Sequence, residues 1–195
     1  MSFVTRAAQK SDAAEIALLV NIATHGGTNL GWSADARAAG SYSPIEVGRL
    51  DMLKDGEFGW QNATMAETED GEIVGMLLGY REPDAGFELP PGLEPFMVPI
   101  LELEAAAKGT WFISMLGVHI PWRGKGAGGH LLDVAQSKAE QTHSNGLALI
   151  VEDVNVRAQH LYQRRGFSVR TSRPMVRYSS GTDAPGKDWL LMVKD

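Results

Sequence analysis

The chain has 195 residues, of which 44% are hydrophobic and 22% charged, a composition typical of a globular protein with one well-buried core. Its formal net charge of -6 argues against general nucleic-acid binding, and the absence of cysteine excludes disulfides, thiolate metal sites and a cysteine nucleophile. No apolar core of signal-peptide length opens the sequence, and no apolar run approaches the roughly 20 residues of a membrane span, so we expect a cytoplasmic protein without membrane contact.

The first part of the chain predicts a strand, two helices and a hairpin. The segment HGGTNLGW, residues 25–32, predicts a loop because its glycines and polar residues break the preceding helical pattern. Proline is favoured in a first helical turn, and Asp-Gly is typical of a hairpin turn. The predicted elements are a strand at 2–8, a helix capped by Ser11 or Asp12, a helix opened by Ser43-Pro44, and paired strands at 63–68 and 72–81 around Asp70-Gly71.

An insertion at residues 83–109 interrupts this pattern and holds five of the nine prolines. It ends in ILELEAAAK, which predicts a short helix. The later elements are a strand at 111–118, a helix at 128–143, a strand at 147–151, a helix at 155–165 that stops at Gly166, and final strands at 167–169, 175–178 and 189–193. The order predicts one mixed α/β domain over residues 1–195, with a central strand–helix–strand unit.

The segment VHIPWRGKGAGGHLL, residues 118–132, joins the strand at 111–118 to the following helix. Its four glycines leave the backbone unhindered, and Arg123 and Lys125 add positive charge. A helix N-terminus presents N–H groups without internal partners and binds anions, phosphates above all. The segment therefore predicts a pyrophosphate site. A glycine-rich turn that only tightens the packing of strand and helix is the alternative.

Two known phosphate loops do not fit this segment. A Walker A loop needs Gly-Lys-Ser/Thr, but Ala127 follows Gly126. The dinucleotide fingerprint G-x-G-x-x-G is matched only weakly from Gly124, and its acidic residue is expected before Glu152 and Asp153. A nucleotide-binding protein that uses the loop for ATP or NAD stays open as an alternative.

Two motifs in the second half of the chain resemble those of the GCN5-related N-acetyltransferase (GNAT) family. The acetyl-CoA motif of that family, Q/R-x-x-G-x-G/A, is matched by RGKGAG at 123–128, and the preceding LGV matches the end of the family's strand. The later motif N-x-x-A-x-x-x-Y-x-x-x-G-F is matched by Asn155, Ala158, Tyr162, Gly166 and Phe167. Both motifs stand in the family's order within residues 116–167.

The resemblance implies the family's fold and its cofactor. The fold is a central, mostly antiparallel twisted sheet with helices on both faces, in which the parallel strands 111–118 and 147–151 are splayed at the acetyl-CoA site. The pyrophosphate is expected on the loop amides, and the pantetheine arm along the preceding strand, as an added strand pairs with a sheet edge. The implied cofactor-binding residues are Leu116, Gly117, Val118, Arg123, Gly124, Lys125, Gly126, Ala127, Gly128, Gly129, Asn155, Ala158 and Tyr162.

The distribution of charge supports a polyanionic ligand independently of the resemblance. Residues 154–182 contain six arginines and no Asp or Glu, in a chain whose net charge is -6. A solvated helix face is the plainer explanation for any single arginine. His119 and His130 flank the loop without the spacing of metal ligands, so no metal site is predicted.

Acyl transfer from a thioester to an amine needs a neutral amine, a hydrogen-bond donor for the oxyanion and a proton for the departing thiolate. The resemblance assigns the donor to the Val118 amide and the acid to Tyr162. A core tyrosine with a satisfied hydroxyl is the alternative for Tyr162. Glu102 and Glu104 are the candidate bases, although a solvated carboxylate explains each of them better, and a water relay to a peripheral carboxylate would leave no signature in the sequence.

The acceptor is expected at two segments without a family motif, 25–43 and 83–108. The first offers Asn29, Trp32 and Tyr42, and the second carries Glu88 among five acidic residues interleaved with apolar ones. Such a surface suits an amine with a hydrophobic body, or a homodimer contact. The predicted function is transfer of an acetyl group to the amine of a small molecule or peptide. A non-catalytic CoA-binding sensor or regulatory module is the alternative.

Overall fold

The structure is a computed structural model that describes residues 2–41, 43–176 and 186–195. The helices are α1 Ala13–Ala23, α2 Gly27–Ala38, α3 Pro44–Met52, α4 Val98–Ala105, α5 Ala127–Gln141 and α6 Val156–Arg164. The strands are β1 Val4–Ala7, β2 Ala63–Glu67, β3 Ile73–Arg81, β4 Trp111–Val118, β5 Leu147–Glu152, β6 Ser168–Pro174 and β7 Asp188–Lys194.

The strands form one seven-stranded sheet in the order β1-β2-β3-β4-β5-β7-β6. The pairs β1–β2, β2–β3, β5–β7 and β6–β7 are antiparallel, whereas β4 and β5 are parallel and pair through Trp111–Ile113 and Leu147–Leu149. The predicted mixed α/β class, with one parallel pair in a mostly antiparallel sheet, is confirmed. The splaying of that pair stays a prediction.

Two compact units share the chain. The first contains the residues up to Tyr80 together with Ser114–Asp133, and the second contains Arg81–Ile113 together with Val134–Asp195. In the first unit α1, α2 and α3 pack on one another, and Ile16 and Leu19 of α1 are fully buried, as their helical spacing predicts. One domain over residues 1–195 stays a prediction.

The loop predicted at residues 25–32 is wrong, because α2 begins at Gly27. His25 and Gly26 take left-handed conformations, with φ of +51° and +87°, and they separate α1 from α2. Trp32 then packs so closely on α3 that a Cβ on Gly48 would lie 2.7 Å from its ring. The burial of this one tryptophan outweighs the weak helix propensity of the glycines around it.

In the second unit α4 packs against β5, β6 and β7, and its Leu103 is fully buried. The end of the 83–109 insertion is therefore part of a core, and the predicted short helix is confirmed. The Glu82 N–H donates to the carbonyl oxygen of Thr110 at 2.8 Å, so the two ends of the insertion are neighbours.

The last strands differ from the prediction in their bounds. A single strand, β6, replaces the predicted strands at 167–169 and 175–178, and it bulges between Val169 and Thr171. Met175 follows its end and donates its N–H to the Lys187 carbonyl at 2.8 Å. Residues 177 and 178 of the predicted strand lie outside the described residues. The strand predicted at 189–193 is confirmed as β7.

Candidate active site

The C-terminal end of β4 approaches its neighbours in the first unit more closely than a side chain would allow. A Cβ on Gly117 would lie 2.5 Å from the carbonyl oxygen of Leu19 in α1. A Cβ on Gly75 of β3 would lie 2.5 Å from the carbonyl oxygen of Gly117. Both positions therefore need glycine, and the glycine of the LGV motif is explained by the packing of α1 on the strand.

The backbone of β4 directs Leu116 and Val118 away from β3. The His119 N–H donates to the Val74 carbonyl at 3.0 Å. Because backbone groups alternate in direction along a strand, the N–H and C=O groups of Val118 and Leu116 face the opposite edge. Residues 114–116 are partly exposed, although the first three residues of β4 are buried. This is the edge at which the resemblance places the pantetheine arm.

Both cations of the loop after β4 interact with neighbouring groups. The Arg123 Nε donates to the Val118 carbonyl at 3.0 Å, and the Lys125 Nζ lies 4.6 Å from the centre of the Trp122 ring. The Trp122 indole N–H donates to the Glu72 carboxylate at 3.1 Å. Arg123 therefore holds the end of the strand, and Trp122 orients Lys125, two roles that the sequence analysis missed.

Two glycines of the loop have backbone conformations that favour glycine. Gly124 and Gly126 have φ of +79° and +98°, and both are exposed. The nearest atom to a Cβ on Gly126 would be a ring carbon of Phe3 at 4.0 Å. The space beside this backbone is therefore open to a ligand. A side chain at position 126 would fill that space.

The N-terminus of α5 supplies donors to the same space. The His130 N–H donates to the Gly126 carbonyl at 3.0 Å, at the start of the helical pattern. The N–H groups of Ala127, Gly128 and Gly129 precede it and have no acceptor within the helix. Orphan donors, the positive end of a 15-residue helix and open space fit a pyrophosphate group.

Asn155 caps α6 in the second unit. Its side-chain oxygen accepts a hydrogen bond from the Ala158 N–H at 3.2 Å. The Gln159 side chain donates to the carbonyls of Glu152 and Asp153 at 3.0 and 2.8 Å, which joins the first turn of α6 to the end of β5. Helix capping thus explains the Asn of the motif, whereas the Ala contributes only its backbone N–H. A contact of Asn155 or Ala158 with the cofactor stays a prediction.

Tyr162 lies on the buried side of α6 and is 9% exposed. Its ring packs against that of Phe167 with 5.8 Å between centroids, and burial raises the pKa of its hydroxyl to about 12. Among the described residues we find no hydrogen-bond partner for this hydroxyl. The alternative of a core tyrosine with a satisfied hydroxyl therefore gains no support from the described part of the chain.

The residues predicted for the acceptor have different environments. Trp32 is 6% exposed, and its indole N–H donates to Asp51 at 2.9 Å, so its place is that of a core residue. Asn29 is partly exposed in the first turn of α2, and Glu88 is exposed in the insertion. Tyr42 lies outside the described residues.

The two candidate bases also differ. Glu102 forms an ion pair with Arg173, with 2.6 Å between Oε2 and Nε. Glu104 is 5% exposed. Their different surroundings follow from the spacing of two residues in a helix, which directs the side chains to different faces.

Residues 154–182 contain six arginines and no acidic residue, but acids elsewhere in the chain pair with two of these arginines. Arg170 lies 2.9 Å from Asp195, and Arg173 lies 2.6 Å from Glu102. Arg177 lies outside the described residues. The segment therefore offers less free positive charge than its sequence indicates, because the acids that pair with it come from distant positions.

Within the described ranges we find no group of three or more His, Asp or Glu side chains that could hold a metal ion. The described helices also include none that is long and apolar enough to cross a membrane.

Comparison with known proteins identifies the family. The model of the acetyltransferase (GNAT) family matches residues 34–167, which is more than half of the chain. No curated protein matches the sequence significantly.

Solved structures share the fold. A crystal structure described as an acetyltransferase is 22% identical, covers 98% of both chains and has a TM-score of 0.62. Arabidopsis thaliana Naa50, in complex with the bisubstrate analogue CoA-Ac-MVNAL, is 18% identical over 100% of this chain and 99% of its own, with a TM-score of 0.57. Nourseothricin acetyltransferase is 22% identical with a TM-score of 0.50; the match covers 68% of this chain and 63% of that protein, less than two thirds of its length. At these identities the likeness establishes the fold alone.

The sheet with one parallel pair and the open glycine loop at the start of α5 agree with the acyltransferase fold that the two motifs imply. The chain belongs to the acetyltransferase (GNAT) family, whose enzymes use acetyl-CoA. The predicted family, enzyme class and cofactor are thereby confirmed.

Proposed function

We propose that this protein transfers an acetyl group from acetyl-CoA to the amine of a small molecule or peptide, by direct attack of the amine. The observation that carries the proposal is the loop after β4. Its exposed glycines at φ of +79° and +98° open onto the N-terminus of α5, where three N–H groups have no helical acceptor.

The chain's backbone would hold most of the cofactor. The loop amides between Arg123 and Gly129 are assigned to the pyrophosphate, with the Lys125 side chain adding charge. The N–H groups of Arg123 and Lys125 already donate to the carbonyls of Ile120 and Trp122, so the glycine and Ala127 amides carry this assignment. The N–H and C=O groups of Leu116 and Val118 are assigned to the pantetheine arm, because they face the edge of β4 away from β3. The Val118 carbonyl oxygen already accepts from Arg123 at 3.0 Å, so the N–H of Val118 is the more available of its two backbone groups.

Bound acetyl-CoA supplies a thioester whose thiol is the leaving group. The Val118 N–H is assigned as the hydrogen-bond donor to the thioester carbonyl oxygen, and the Tyr162 hydroxyl as the donor to the sulfur, both on the family's motifs. With its pKa raised to about 12, Tyr162 stays protonated at neutral pH. A thiol has an ordinary pKa of about 8.5, so full proton transfer from Tyr162 to the thiolate is uphill by roughly 5 kcal/mol. Tyr162 therefore acts by donating a hydrogen bond.

Of the two candidate bases, Glu102 has the accessible carboxylate, with 41% of its side chain exposed, whereas Glu104 is 5% exposed. Because Arg173 already pairs with this carboxylate at 2.6 Å, we do not assign the proton of the amine to Glu102 and leave it to a water relay. Asn29 and Glu88 remain candidates for contact with the acceptor, because both side chains reach solvent.

The test combines binding and turnover on the purified protein. Acetyl-CoA, ATP and NAD are titrated separately and the melting temperature is followed; a ligand at a hundred times its dissociation constant stabilises by about 2.7 kcal/mol. A panel of amines and short peptides is then assayed for release of free CoA thiol. Stabilisation by acetyl-CoA alone, with thiol release dependent on an amine, is expected. Stabilisation without turnover of any amine would instead favour a CoA-binding module.

A cytoplasmic location, a possible homodimer and the absence of nucleic-acid and membrane partners complete the proposal. Size-exclusion chromatography with light scattering tests the homodimer directly.

A further inference from the structure

We propose that a groove in the second unit holds the body of the acceptor, so that the substrate is an amine with an aliphatic or aromatic body. This inference rests on the proposed acetyl transfer. The groove has a volume of about 500 Å³. Its apolar lining consists of Leu93, Pro95, Val98, Pro99, Pro174 and Val176.

The size and chemistry of the groove suit a small organic molecule. Sites for such ligands typically measure about 300–1,000 Å³ and combine apolar walls with a few polar groups. Here the polar groups are Glu102 and Arg173, which also line the groove. Their charged atoms are 2.6 Å apart, and 41% of each side chain is exposed. Because the pair neutralises itself, the lining matches an uncharged body better than a second charge on the ligand.

The groove lies by the C-terminal end of β6, at the same end of the sheet as the C-terminal end of β5, which the Asn155 motif follows. β5 and β6 run in the same direction, because both are antiparallel to β7. The strand register aligns Glu152, Trp189 and Arg173 side by side, so Glu152 and Arg173 are two strand spacings apart, about 10 Å. Asn155 follows Glu152 by three residues. Arg173, which lines the groove, is thus about two strand spacings from the last residue of β5.

The charge of the surrounding segment suits an amine. Residues 83–109 contain five acidic residues and one basic residue, Lys108. Asp84 and Glu102 pair with Arg81 and Arg173, and Glu104 is buried, so the charge that reaches solvent comes from the other two acids. Glu88 and Glu94 are exposed, and Glu94 stands between two groove residues, Leu93 and Pro95. An amine reaches the protein mainly as an ammonium ion, which this surface attracts. An acidic apolar surface therefore favours an amine over a carboxylate or phosphate compound.

The experiment compares methylamine, butylamine and phenethylamine as acceptors with acetyl-CoA, by release of free thiol. In the native chain we expect kcat/KM to rise at least tenfold from methylamine to phenethylamine. Val98→Gln places a polar group in the groove, and the ratio should fall by about tenfold, since a small change in an apolar pocket typically costs about 10–200-fold. Val169→Gln makes the same change at a valine that is 48% exposed outside the groove, and the ratio should persist.

The failures of this inference and of the proposed function are distinguishable. Acetylation without a preference for the apolar amines, or a preference that survives Val98→Gln, would overturn the assignment of the groove to the acceptor and leave acetyl transfer standing.

If no amine is acetylated, the binding of phenethylamine is measured by the melting temperature of the protein in the presence of CoA. If phenethylamine stabilises the native chain and Val169→Gln but not Val98→Gln, the groove is supported as its binding site. Any other pattern would overturn the proposed role of the groove. A native chain that CoA does not stabilise contradicts the proposed function itself. Dissociation of a dimer by Val98→Gln, with an unchanged amine preference, would assign the groove to a second copy of the chain.

Discussion

The environment of Tyr162 sets what its hydroxyl can do. The side chain is buried beside Phe167, and burial raises the pKa of the hydroxyl to about 12. A group with this pKa is a poor acid toward a thiolate, but it remains a hydrogen-bond donor throughout the neutral pH range. The motif N-x-x-A-x-x-x-Y places the residue on α6, and its burial leads us to propose the hydrogen-bond donor over the acid.

We expect Tyr162→Phe to lower kcat by about 10², the low end of the usual contribution of a positioned acid or donor. The KM for acetyl-CoA should change little, because the hydroxyl acts in the transition state. With a pKa of about 12, the hydroxyl should add no titration to the pH profile of kcat across the neutral range. Steady-state kinetics across that range measure both effects. A variant that keeps its turnover would exclude the tyrosine from catalysis.

At the scale of elements, the junction of β4 and α5 combines three devices. Gly117 lets α1 approach the strand, Arg123 holds the last carbonyl of the strand, and Gly126 leaves open space before the helix. Each is local in sequence, which is why the motif predicts the place of the site. The partners, Leu19 and Phe3, are distant in sequence and could not be predicted from the motif.

Gly126→Asp should weaken acetyl-CoA binding sharply, because it adds a side chain and a negative charge where the pyrophosphate is assigned. Gly71→Asp is the matched control, since Gly71 also has a positive φ, +85°, and a Cβ added there would meet no atom within 4 Å. Isothermal titration with acetyl-CoA should show a large loss for the first variant and native affinity for the second. Equal affinities in two folded variants would contradict the placement of the cofactor.

The insertion should govern the acceptor and not the cofactor. Leu103 of α4 is fully buried, so replacing all of 83–108 would remove part of the core, and only residues 87–96 can be exchanged. The linker must span from Gly86, which lies beside Ala105 at the C-terminal end of α4, to the N-terminal end of the same helix. α4 has eight residues and is about 12 Å long. A six-residue Gly/Ser linker reaches that far, at about 3.3 Å per residue.

For this exchange we expect acetyl-CoA affinity within a few-fold of native and a loss or broadening of amine selectivity. Titration calorimetry and the amine panel measure the two properties on the same preparation. Loss of acetyl-CoA binding in a folded variant would show that residues 87–96 contribute to the cofactor site, which would contradict their assignment to the acceptor.

At the scale of the whole molecule, one cation joins three parts of the first unit. Arg6 of β1 lies 2.6 Å from Asp12, at the start of α1, and 2.7 Å from Glu67 of β2. Asp12 also accepts the Gln9 N–H at 2.7 Å. The Arg6 guanidinium lowers the pKa of Asp12 below its ordinary 3.8. The stability that this shift contributes is fully present above the pKa that Asp12 has in the unfolded chain. It is lost as the pH falls through the pKa that Asp12 has in the folded chain.

We therefore expect Asp12→Asn to lower the free energy of unfolding by about 2 kcal/mol at neutral pH, the usual value of charge-assisted hydrogen bonds. The difference from the native chain should shrink below about pH 4, as Asp12 becomes protonated in the unfolded chain and then in the folded one. Urea unfolding at several pH values measures it. Asp70→Asn, in an exposed hairpin turn, is the control and should be nearly neutral at every pH. A difference that does not depend on pH would contradict the role of the Asp12 charge.

Local patterns in the sequence by themselves determined most of the elements and the position of the glycine loop to which we assign the cofactor. Helical spacing predicted α1, Ser43-Pro44 predicted α3, and the glycines from 124 to 129 predicted the phosphate site, because each of these signals acts over a few neighbouring residues. Tertiary structure alone decided the rest. Residues 27–32 form part of a helix where a loop was predicted, and Trp32 of that helix packs on Gly48. Glu102 pairs with Arg173, 71 positions later in the chain, and both line the groove. Such contacts depend on which distant surfaces the sheet brings together, and no local pattern encodes them.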